Sequence, residues 1–502
     1  MPSIDGADVL LSGPTDTPFP TATRHASSYN PLHTFHLPKG EQKHYQQQFA
    51  DLYFLRLAQL KEVVEEVAGE DWDMVGGEKA RRVDRVLDVR QGELCWVVGT
   101  VYMEMPLKPN ILDDISKEHW IAAPPPREKY LSPNGGDQKM LEDDSGRLRI
   151  IGEFIDSRVL ATGAIIAALG TENKDGAFEV IDIKVADLPR QPERWERDEA
   201  ELAETGKKVK QNRQPAGKIA ILSGLSISGE LADDLSLDLL TEYLLGESMS
   251  GVAQESAAQI SRLLIAGNSL ANASPILSRD DFAAKKSNKK YGYDSSAYNA
   301  APTEHLDNFL SVLLPSLPIT LLPGETDPSN VALPQPPLHP ALFPQSRAYA
   351  NPPVESKEKP GALDSVTNPW EGDIDGWRFL VNGGQPINDV YKYVEGDDRL
   401  EMMECLLRWR SNAPTAPDTL WCYPFQDDDP FLVKDCPHVY IVGNQPRFET
   451  TVIEGPLGQR VRLIAVPSFR DTGTMVLLDA ETLAVDVVNF EVFKPSKDVD
   501  MS

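Results

Sequence analysis

The sequence contains little cysteine, and its cysteines are scattered. Only four occur in 502 residues, Cys95, Cys405, Cys422 and Cys436, too few for a disulfide framework in a chain of this length. A reducing, intracellular compartment is therefore expected. No run of about 18 apolar residues occurs, so no transmembrane helix is expected. Residues 1–19 lack the basic and apolar regions of a secretory signal.

Positive charge is also scarce. Lys and Arg number 49 against 77 Asp and Glu, which gives a formal net charge of −28 at pH 7. A surface this acidic repels nucleic-acid phosphates, so the charge argues against a dedicated duplex-binding protein and favours one that contacts other proteins. The length fits two or three domains, and the 41% hydrophobic content supplies a large soluble core.

The first 190 residues predict a tail, a long helix and a small barrel. Residues 1–40 are polar, proline-rich and without apolar period, and we expect a disordered or loosely docked tail. Apolar residues spaced by three and four predict an amphipathic helix over residues 41–68 that stops at Gly69. Strand alternation follows at residues 93–105, 148–155, 160–169 and 178–185. A proline-rich loop separates the first two strands, and the whole predicts an antiparallel OB-fold barrel within a domain over 41–190.

The remaining chain predicts a linker and a layered α/β domain. Residues 191–216 are charged, and their basic run at 207–210 is interpreted as solvated rather than as a nuclear-import signal. Strands are predicted at residues 218–223, 260–266, 319–322, 439–442, 462–466 and 474–478, and helices at 235–245 and 303–314 with Thr303 as N-cap. Buried strands alternating with helices predict an α/β domain over 217–495 with a mostly parallel sheet, antiparallel beyond residue 439. We expect residues 496–502 to be a second tail.

Four predicted strands end in glycine-containing turns, at the sheet edge where α/β domains bind ligands. The turns are residues 223–226 (SGLS), 266–269 (AGNS), 323–327 (PGETD) and 443–446 (GNQP). Their order and spacing resemble the calcineurin-like metallophosphoesterases, which carry D-x-H, G-D-x-x-D, G-N-H-D and G-H-x-H at these strand ends. The resemblance implies a phosphoesterase-like layered sheet domain.

The same resemblance implies that the metal ligands are gone. The former metal-site positions are occupied by Gly224, Ser226, Asn268, Glu325, Thr326, Asn444 and Pro446. Asp327 keeps its family identity but is not a core ligand there. Two dications about 3.5–4 Å apart need bridging carboxylates and imidazoles, which neutral side chains do not supply. We therefore expect no catalytic residue, no metal and no cofactor.

A degenerate phosphoesterase domain that follows a long helix and a barrel resembles the small (B) subunits of replicative DNA polymerases. Its sequence segments are most similar to those of the delta members. The resembling segments are residues 49–60, 218–230, 259–271, 321–335, 379–393 and 438–448. The resemblance implies a non-catalytic nuclear scaffold for DNA replication and repair synthesis. Its implied partners are the C-terminal cysteine-rich metal module of the polymerase catalytic subunit and a third subunit that binds the sliding clamp. DNA contact would be at most indirect, and no membrane contact is implied.

Two other functions remain open from the residues. One is a metal-dependent phosphoesterase or nuclease that uses Glu325, Asp327 and aspartates from elsewhere in the chain. The other is a single-stranded DNA-binding protein that acts through the barrel aromatics Trp96, Tyr102, Phe154 and Phe178 or the basic segment 285–291. The scaffold is preferred because cations are sparse in the barrel and its aromatics alternate with apolar neighbours.

Three further motifs are given structural interpretations. Cys422, Cys436 and His438 lack a C-x-x-C pair and are expected to be core residues rather than ligands. The run 427–429 (DDD) is interpreted as a solvated loop or an acidic docking patch. The glycine pair 383–384 is a weak phosphate-binding signal because no Lys-Ser/Thr follows it.

Overall fold

Three six-stranded sheets make up the described part of the chain. A computed structural model describes residues 22–38, 50–72, 80–109, 127–133, 135–196, 216–229, 234–247, 251–271, 300–351 and 360–491. The strands are β1 (Tyr29–Pro31), β2 (Arg81–Val83), β3 (Cys95–Glu104), β4 (Gln138–Glu142), β5 (Arg147–Ile151), β6 (Ile165–Glu172), β7 (Phe178–Lys184), β8 (Lys218–Leu222), β9 (Ile260–Ala266), β10 (Ile319–Leu322), β11 (Leu363–Ser365), β12 (Trp370–Ile374), β13 (Trp377–Asn382), β14 (Val439–Gln445), β15 (Glu449–Glu454), β16 (Arg460–Pro467), β17 (Thr474–Asp479) and β18 (Val485–Asn489). The helices are α1 (Ala50–Trp72), α2 (Glu153–Asp156), α3 (Asp234–Leu245), α4 (Gly251–Ala258), α5 (Ala301–Leu313), α6 (Gln385–Tyr391), α7 (Arg399–Arg408) and α8 (Phe469–Thr472). No helix in these ranges has the length and apolar character needed to cross a membrane.

The first sheet closes into a barrel. Its order is β2-β3-β4-β5-β7-β6, and β3 also pairs with β6, so five strands close and β2 is added outside. The pairs β2–β3 and β5–β7 are parallel and the others antiparallel. Strand β4 was not predicted because Leu141 is its only fully buried residue. The predicted strand 148–155 ends at Ile151 and turns into α2, while the one predicted from 160 begins at Ile165.

The other two sheets pack face to face. Their orders are β1-β12-β13-β14-β16-β15, here the first layer, and β11-β10-β9-β8-β17-β18, here the second layer. One buried cluster joins them, with Ile221 and Leu264 from the second layer and Phe379, Ile441 and Ile464 from the first. The sequence predicted one mostly parallel sheet that continues antiparallel beyond residue 439. Strand β17 does pair antiparallel with β8, but β16 pairs parallel with β14, and the prediction of one sheet is wrong. Two mixed sheets are present, and strands buried on both faces carry the same apolar pattern in either sheet.

Helices and the barrel cover the outer faces of these layers. On the second layer, Leu240 of α3 and Leu310 of α5 join the buried side chains of β8 and β9. On the first layer, a single cluster runs from Tyr440 of β14 through Leu406 of α7 to Val101 of the barrel. The barrel and the layered sheets therefore share one continuous core.

Two predicted helix boundaries are wrong, one because of packing and one because of a proline. Helix α1 continues through Gly69 to Trp72. The ring of Trp72 lies 6.0 Å from that of Trp96, so burial against the barrel extends the helix past the glycine. Thr303 is not an N-cap, because α5 begins at Ala301 with Pro302 in its first turn, a position that suits proline. The predicted start of α1 at residue 41 lies outside the described residues.

The prediction of a disordered or loosely docked tail is wrong over residues 22–38. Strand β1 pairs antiparallel with β12 at the edge of the first layer. The hydroxyl of Tyr29 donates to the carboxylate of Asp364, and the guanidinium of Arg262 lies 3.6 Å from the centre of its ring. Both partners belong to the second layer, so this segment ties the two layers together. Residues 1–21 lie outside the described part.

Arg24 anchors the same segment, and its removal has a measurable expected cost. Its guanidinium donates to the carbonyls of Leu244 (2.6 Å), Ala257 (3.1 Å) and Ile260 (2.9 Å). Because hydrogen bonds to charged groups contribute about 1.5–3 kcal/mol, Arg24→Ala should lower the free energy of unfolding by about that amount. Chemical denaturation measures it, with Arg149→Ala on the exposed face of β5 as control. Equal losses in both variants would contradict the anchoring role.

Candidate functional site: the turn cluster at the carboxyl ends of the strands

The structure brings the four predicted turns together at the carboxyl ends of strands from both layers. A β-carbon placed on Gly267 would lie 3.0 Å from the Cα of Gly324 and 3.3 Å from Nδ2 of Asn444. One placed on Gly224 would lie 2.8 Å from Oδ1 of Asn444. Glycine is therefore required where the turns touch. We call residues 223–226, 266–269, 323–327 and 443–446 the turn cluster.

Amide side chains bridge the turns to one another. The main-chain N–H of Asn444 donates to Oγ of Ser223 (2.9 Å), and its Nδ2 donates to the carbonyls of Ala266 (3.3 Å) and Gly383 (2.8 Å). The main-chain N–H of Thr326 donates to Oδ1 of Asn268 at 3.2 Å. Nδ2 of Asn444 and Oδ1 of Asn268 are thus occupied by contacts within the chain.

Four of the seven predicted site residues have left-handed backbones, namely Gly224 (φ 60°) and three residues that carry side chains. The φ angles are 46° at Ser226, 54° at Asn268 and 55° at Asn444. Side-chain-bearing residues rarely adopt this region, and asparagine tolerates it better than most. These positions therefore shape tight turns.

Asp327 is the one buried carboxylate of the turn cluster. It accepts hydrogen bonds from the main-chain N–H groups of Ser269 (3.2 Å), Leu270 (2.8 Å) and Gly324 (2.8 Å). Burial raises the pKa of Asp327 to about 6, and these backbone donors act in the opposite direction. The carboxylate ties the second turn to the third, and its oxygens face backbone donors rather than an open cavity.

The remaining predicted site residues offer little to a cation. Glu325 and Pro446 are exposed, and Oγ1 of Thr326 donates to the carbonyl of Leu270 at 2.6 Å. Within the described ranges, no group of three or more His, Cys, Asp or Glu could hold a metal ion. A pair of dications needs bridging carboxylates and several imidazoles, so the donors of the turn cluster do not fit a two-metal centre.

Sequence reasoning missed a fifth turn at the same edge. Residues 382–384 lie at the carboxyl end of β13, and the main-chain N–H of Gly383 donates to Oδ1 of Asn368 at 2.9 Å. Nδ2 of Asn368 donates to Oε1 of Gln335 (2.7 Å), whose Nε2 donates to the carbonyl of Gly324 (3.1 Å). A glycine pair directly after a buried strand was the available signal. The N–H of Gly384 donates to Oδ1 of Asn382 at 2.9 Å, so it does not face a phosphate site.

Cys422, Cys436 and His438 are buried core residues. Burial raises the pKa of each cysteine to about 12, which disfavours the thiolate that binds metal. Nδ1 of His438 accepts a hydrogen bond from the main-chain N–H of Arg378 at 3.0 Å. Burial lowers the pKa of His438 to about 4, with a further contribution from the nearby Arg378 charge.

The depressed pKa of His438 predicts a loss of stability in mild acid. The unfolded chain takes up the proton near pH 6.5 and the folded chain only near pH 4. The stabilising contribution is therefore complete above pH 6.5 and falls as the pH drops toward 4. Denaturation between pH 7.5 and 5.5 should show a smaller loss for His438→Asn than for the parent chain. Parallel curves would contradict the assignment.

The interpretation of residues 427–429 as a solvated loop or an acidic docking patch is wrong for the third aspartate. Asp427 and Asp428 are exposed, and Asp428 pairs with Lys434 at 2.6 Å. Asp429 is completely buried and pairs with Nε of Arg56 at 2.8 Å. The last aspartate therefore joins α1 to the layered sheets.

The barrel aromatics are mostly enclosed. Trp96 is buried beneath α1, and Phe178 is buried inside the barrel. Tyr102 and Phe154 are half-buried. Two of the four rings are therefore unable to stack on a base.

The cations beside Tyr102 already have partners. Nζ of Lys108 and the guanidinium of Arg147 lie 4.4 and 4.1 Å from its ring centre. Lys108 pairs with Asp418 at 2.7 Å and Arg147 with Glu142 at 3.3 Å. This face of the barrel is thus a poor phosphate site. The basic segment 285–291 lies outside the described residues.

Two family models match the chain in succession. The model described as "DNA polymerase delta subunit OB-fold domain" matches residues 48–183, the region of α1 and the barrel. The model of the B-type subunits of DNA polymerases alpha and epsilon matches residues 219–450, the region of the layered sheets. The predicted OB-fold and the predicted family of small polymerase subunits are confirmed.

Curated relatives cover nearly the whole chain. The DNA polymerase delta small subunit of Saccharomyces cerevisiae is 36% identical over 494 residues, covering 92% of this chain and 93% of the relative. The protein of the same name from Arabidopsis thaliana is 35% identical, covering 93% and 96%. DNA polymerase delta subunit 2 of Drosophila melanogaster is 34% identical, covering 89% and 94%. This chain, with its braced turns and its barrel, belongs to the family of DNA polymerase delta small subunits.

Proposed function

We propose that the chain is a non-catalytic scaffold subunit of DNA polymerase delta that acts in DNA replication and repair synthesis. The observation that carries the proposal is the turn cluster, whose polar side chains bridge the turns and whose glycines touch neighbouring backbone. Such a cluster offers neither a metal nor a substrate the groups that hydrolysis requires.

Within this proposal, residues 217–495 are an inactive calcineurin-like phosphoesterase domain, and residues 41–190 are the helix and OB-fold domain. Gly224, Ser226, Asn268, Glu325, Thr326, Asn444 and Pro446 mark the former metal positions. The mixed layered sheets and the position of the turns at their carboxyl edge support this assignment. The former site now has a structural role, because bridging side chains hold strand ends of both layers together.

The proposed partners are two polymerase subunits. One is the catalytic subunit, bound through its C-terminal cysteine-rich metal module, and the other is a third subunit that binds the sliding clamp. Membership of the polymerase delta family supports both, and the strongly acidic charge of this chain supports protein partners over direct DNA contact. A nuclear location follows from a role in replication.

Co-expression with the other delta subunits of the same organism tests the proposal. We expect the chain to co-purify with the catalytic subunit in about equal amounts, because a scaffold forms a stable complex. The isolated chain should hold no stoichiometric manganese, iron or zinc and should not hydrolyse bis-p-nitrophenyl phosphate with added manganese. Hydrolysis that Glu325→Gln abolishes would overturn the proposal, as would failure to co-purify.

A further inference from the structure

A cleft lies at the end of the layered sheets opposite the turn cluster. Its volume is about 690 Å³, and residues 190–194 line it beside the amino ends of β13, β14 and β16. The charged residues that line it are Arg190, Arg194, Arg460, Arg462, Glu193 and Glu481. Four arginines against two glutamates make it cationic, in a chain whose formal net charge is −28. We call it the arginine cleft.

Arg462 occupies a position on β16 where the alternation of side chains along the strand would place a core residue. It lies on the same face of β16 as Ile464 and Val466, which are completely buried between the layers. Its Nε donates to the carbonyl of Leu483 at 3.0 Å. No carboxylate in the described part of the chain lies within ion-pair distance of its guanidinium. Partial burial and the neighbouring Arg460 lower the pKa of Arg462, as expected for a cation without a counter-ion.

The other arginines of the cleft differ in how well they are neutralised. Arg194 makes two contacts with Glu481, at 3.0 and 3.2 Å. Arg460 reaches Glu454 only at 3.4 Å, with both side chains about 70% exposed, and exposed pairs of this kind contribute little. Arg190 pairs with Glu196 at 2.7 Å, so Arg460 and Arg462 are the two least neutralised cations of the cleft.

We propose that the arginine cleft binds an extended acidic segment of another polymerase subunit, with two carboxylates spaced two residues apart. Arg460 and Arg462 stand two residues apart on one strand, about 7 Å between Cα atoms, and an extended peptide repeats with the same spacing. Guanidinium groups bind carboxylates through paired hydrogen bonds. Beside them, Val452 lines the cleft and Leu457 is 80% exposed at its rim, which suits an aliphatic side chain of the same segment.

A protein ligand fits the cleft better than a nucleic acid. The overall charge of the chain opposes a phosphate backbone. The aromatic ring in the cleft, Trp377, is already covered, with the Arg194 guanidinium 4.4 Å and the His438 ring 5.0 Å from its centre. No free stacking surface is thus offered to a base by the described lining.

Site-specific photo-crosslinking tests this inference, which rests on the proposed function. The photoreactive amino acid p-benzoyl-L-phenylalanine is incorporated at position 457 of the full chain, within the co-expressed polymerase complex. Mass spectrometry should place the adduct in another subunit, on a segment with two acidic residues spaced by two. The double variant Arg460→Glu, Arg462→Glu should lower the adduct yield at least tenfold.

Arg447→Glu is the matched control, because Arg447 is an exposed arginine at the other end of the same sheet, paired with Glu449. It should leave the adduct unchanged. An adduct on DNA, on this chain itself or on a segment without acidic residues would overturn the inference, as would a yield unaffected by the double variant. Loss of co-purification in the parent complex would instead contradict the proposed function. Intact co-purification without an adduct would contradict the arginine cleft alone.

Discussion

Replacing Arg56 by alanine is expected to lower the free energy of unfolding by about 3–5 kcal/mol, the usual cost of removing one partner from a buried ion pair. Its Nε lies 2.8 Å from the carboxylate of Asp429, and both side chains are almost completely enclosed. Its Nη1 donates to the carbonyls of Pro414 (3.0 Å) and Ala416 (3.1 Å). The variant leaves the Asp429 charge buried without its counter-ion. On unfolding, the contact between α1 and the layered sheets should therefore be the first to be lost.

Calorimetry and chemical denaturation measure this loss, and the adjacent surface pair supplies the control. Lys434 lies 2.6 Å from Asp428, and both side chains are more than half exposed. Lys434→Ala should change the free energy of unfolding by less than about 1 kcal/mol, because exposed pairs are weak. A similar loss in both variants would show that the Arg56 pair does not hold α1 to the sheets.

The second large effect is expected from Gly443→Ala in the turn cluster. A β-carbon there would lie 2.2 Å from the carbonyl oxygen of Ala266 and 3.1 Å from Cβ of Ser223. Neither neighbour is a flexible side-chain end, so the backbone of two strands must move. We expect a loss of about 3 kcal/mol, the upper end of overpacking costs, measured as a lower midpoint of thermal unfolding.

Gly69→Ala is the reference substitution for this experiment. Gly69 lies inside α1, and a β-carbon there would meet nothing within 4 Å. Alanine should therefore stabilise the chain by about 0.5–1 kcal/mol, the difference in helix propensity. If Gly443→Ala proved as harmless as Gly69→Ala, the turns would not be in contact, and the close packing described for the turn cluster would be wrong.

Strands whose side chains are all buried were the most predictable elements of the fold. The bounds of β9 and β10 agree with the prediction to the residue, because every side chain in both strands is buried. Strand β4 was missed for the opposite reason, since its polar residues resemble a loop. Which strands share a sheet could not be predicted, because strands buried on both faces have the same apolar pattern in one sheet or in two.

The sequence by itself determined which side chains stand at the four turns, and therefore that no imidazole is among them. Chemical identity belongs to each residue, so it can be read without a fold. Only the tertiary structure decided that Asn444 bridges three turns, that Asp429 meets Arg56 and that Arg462 faces a cleft. Arg56 and Asp429 stand 373 residues apart along the chain. Such neighbours are set by how the sheets and the barrel pack, which no local pattern contains.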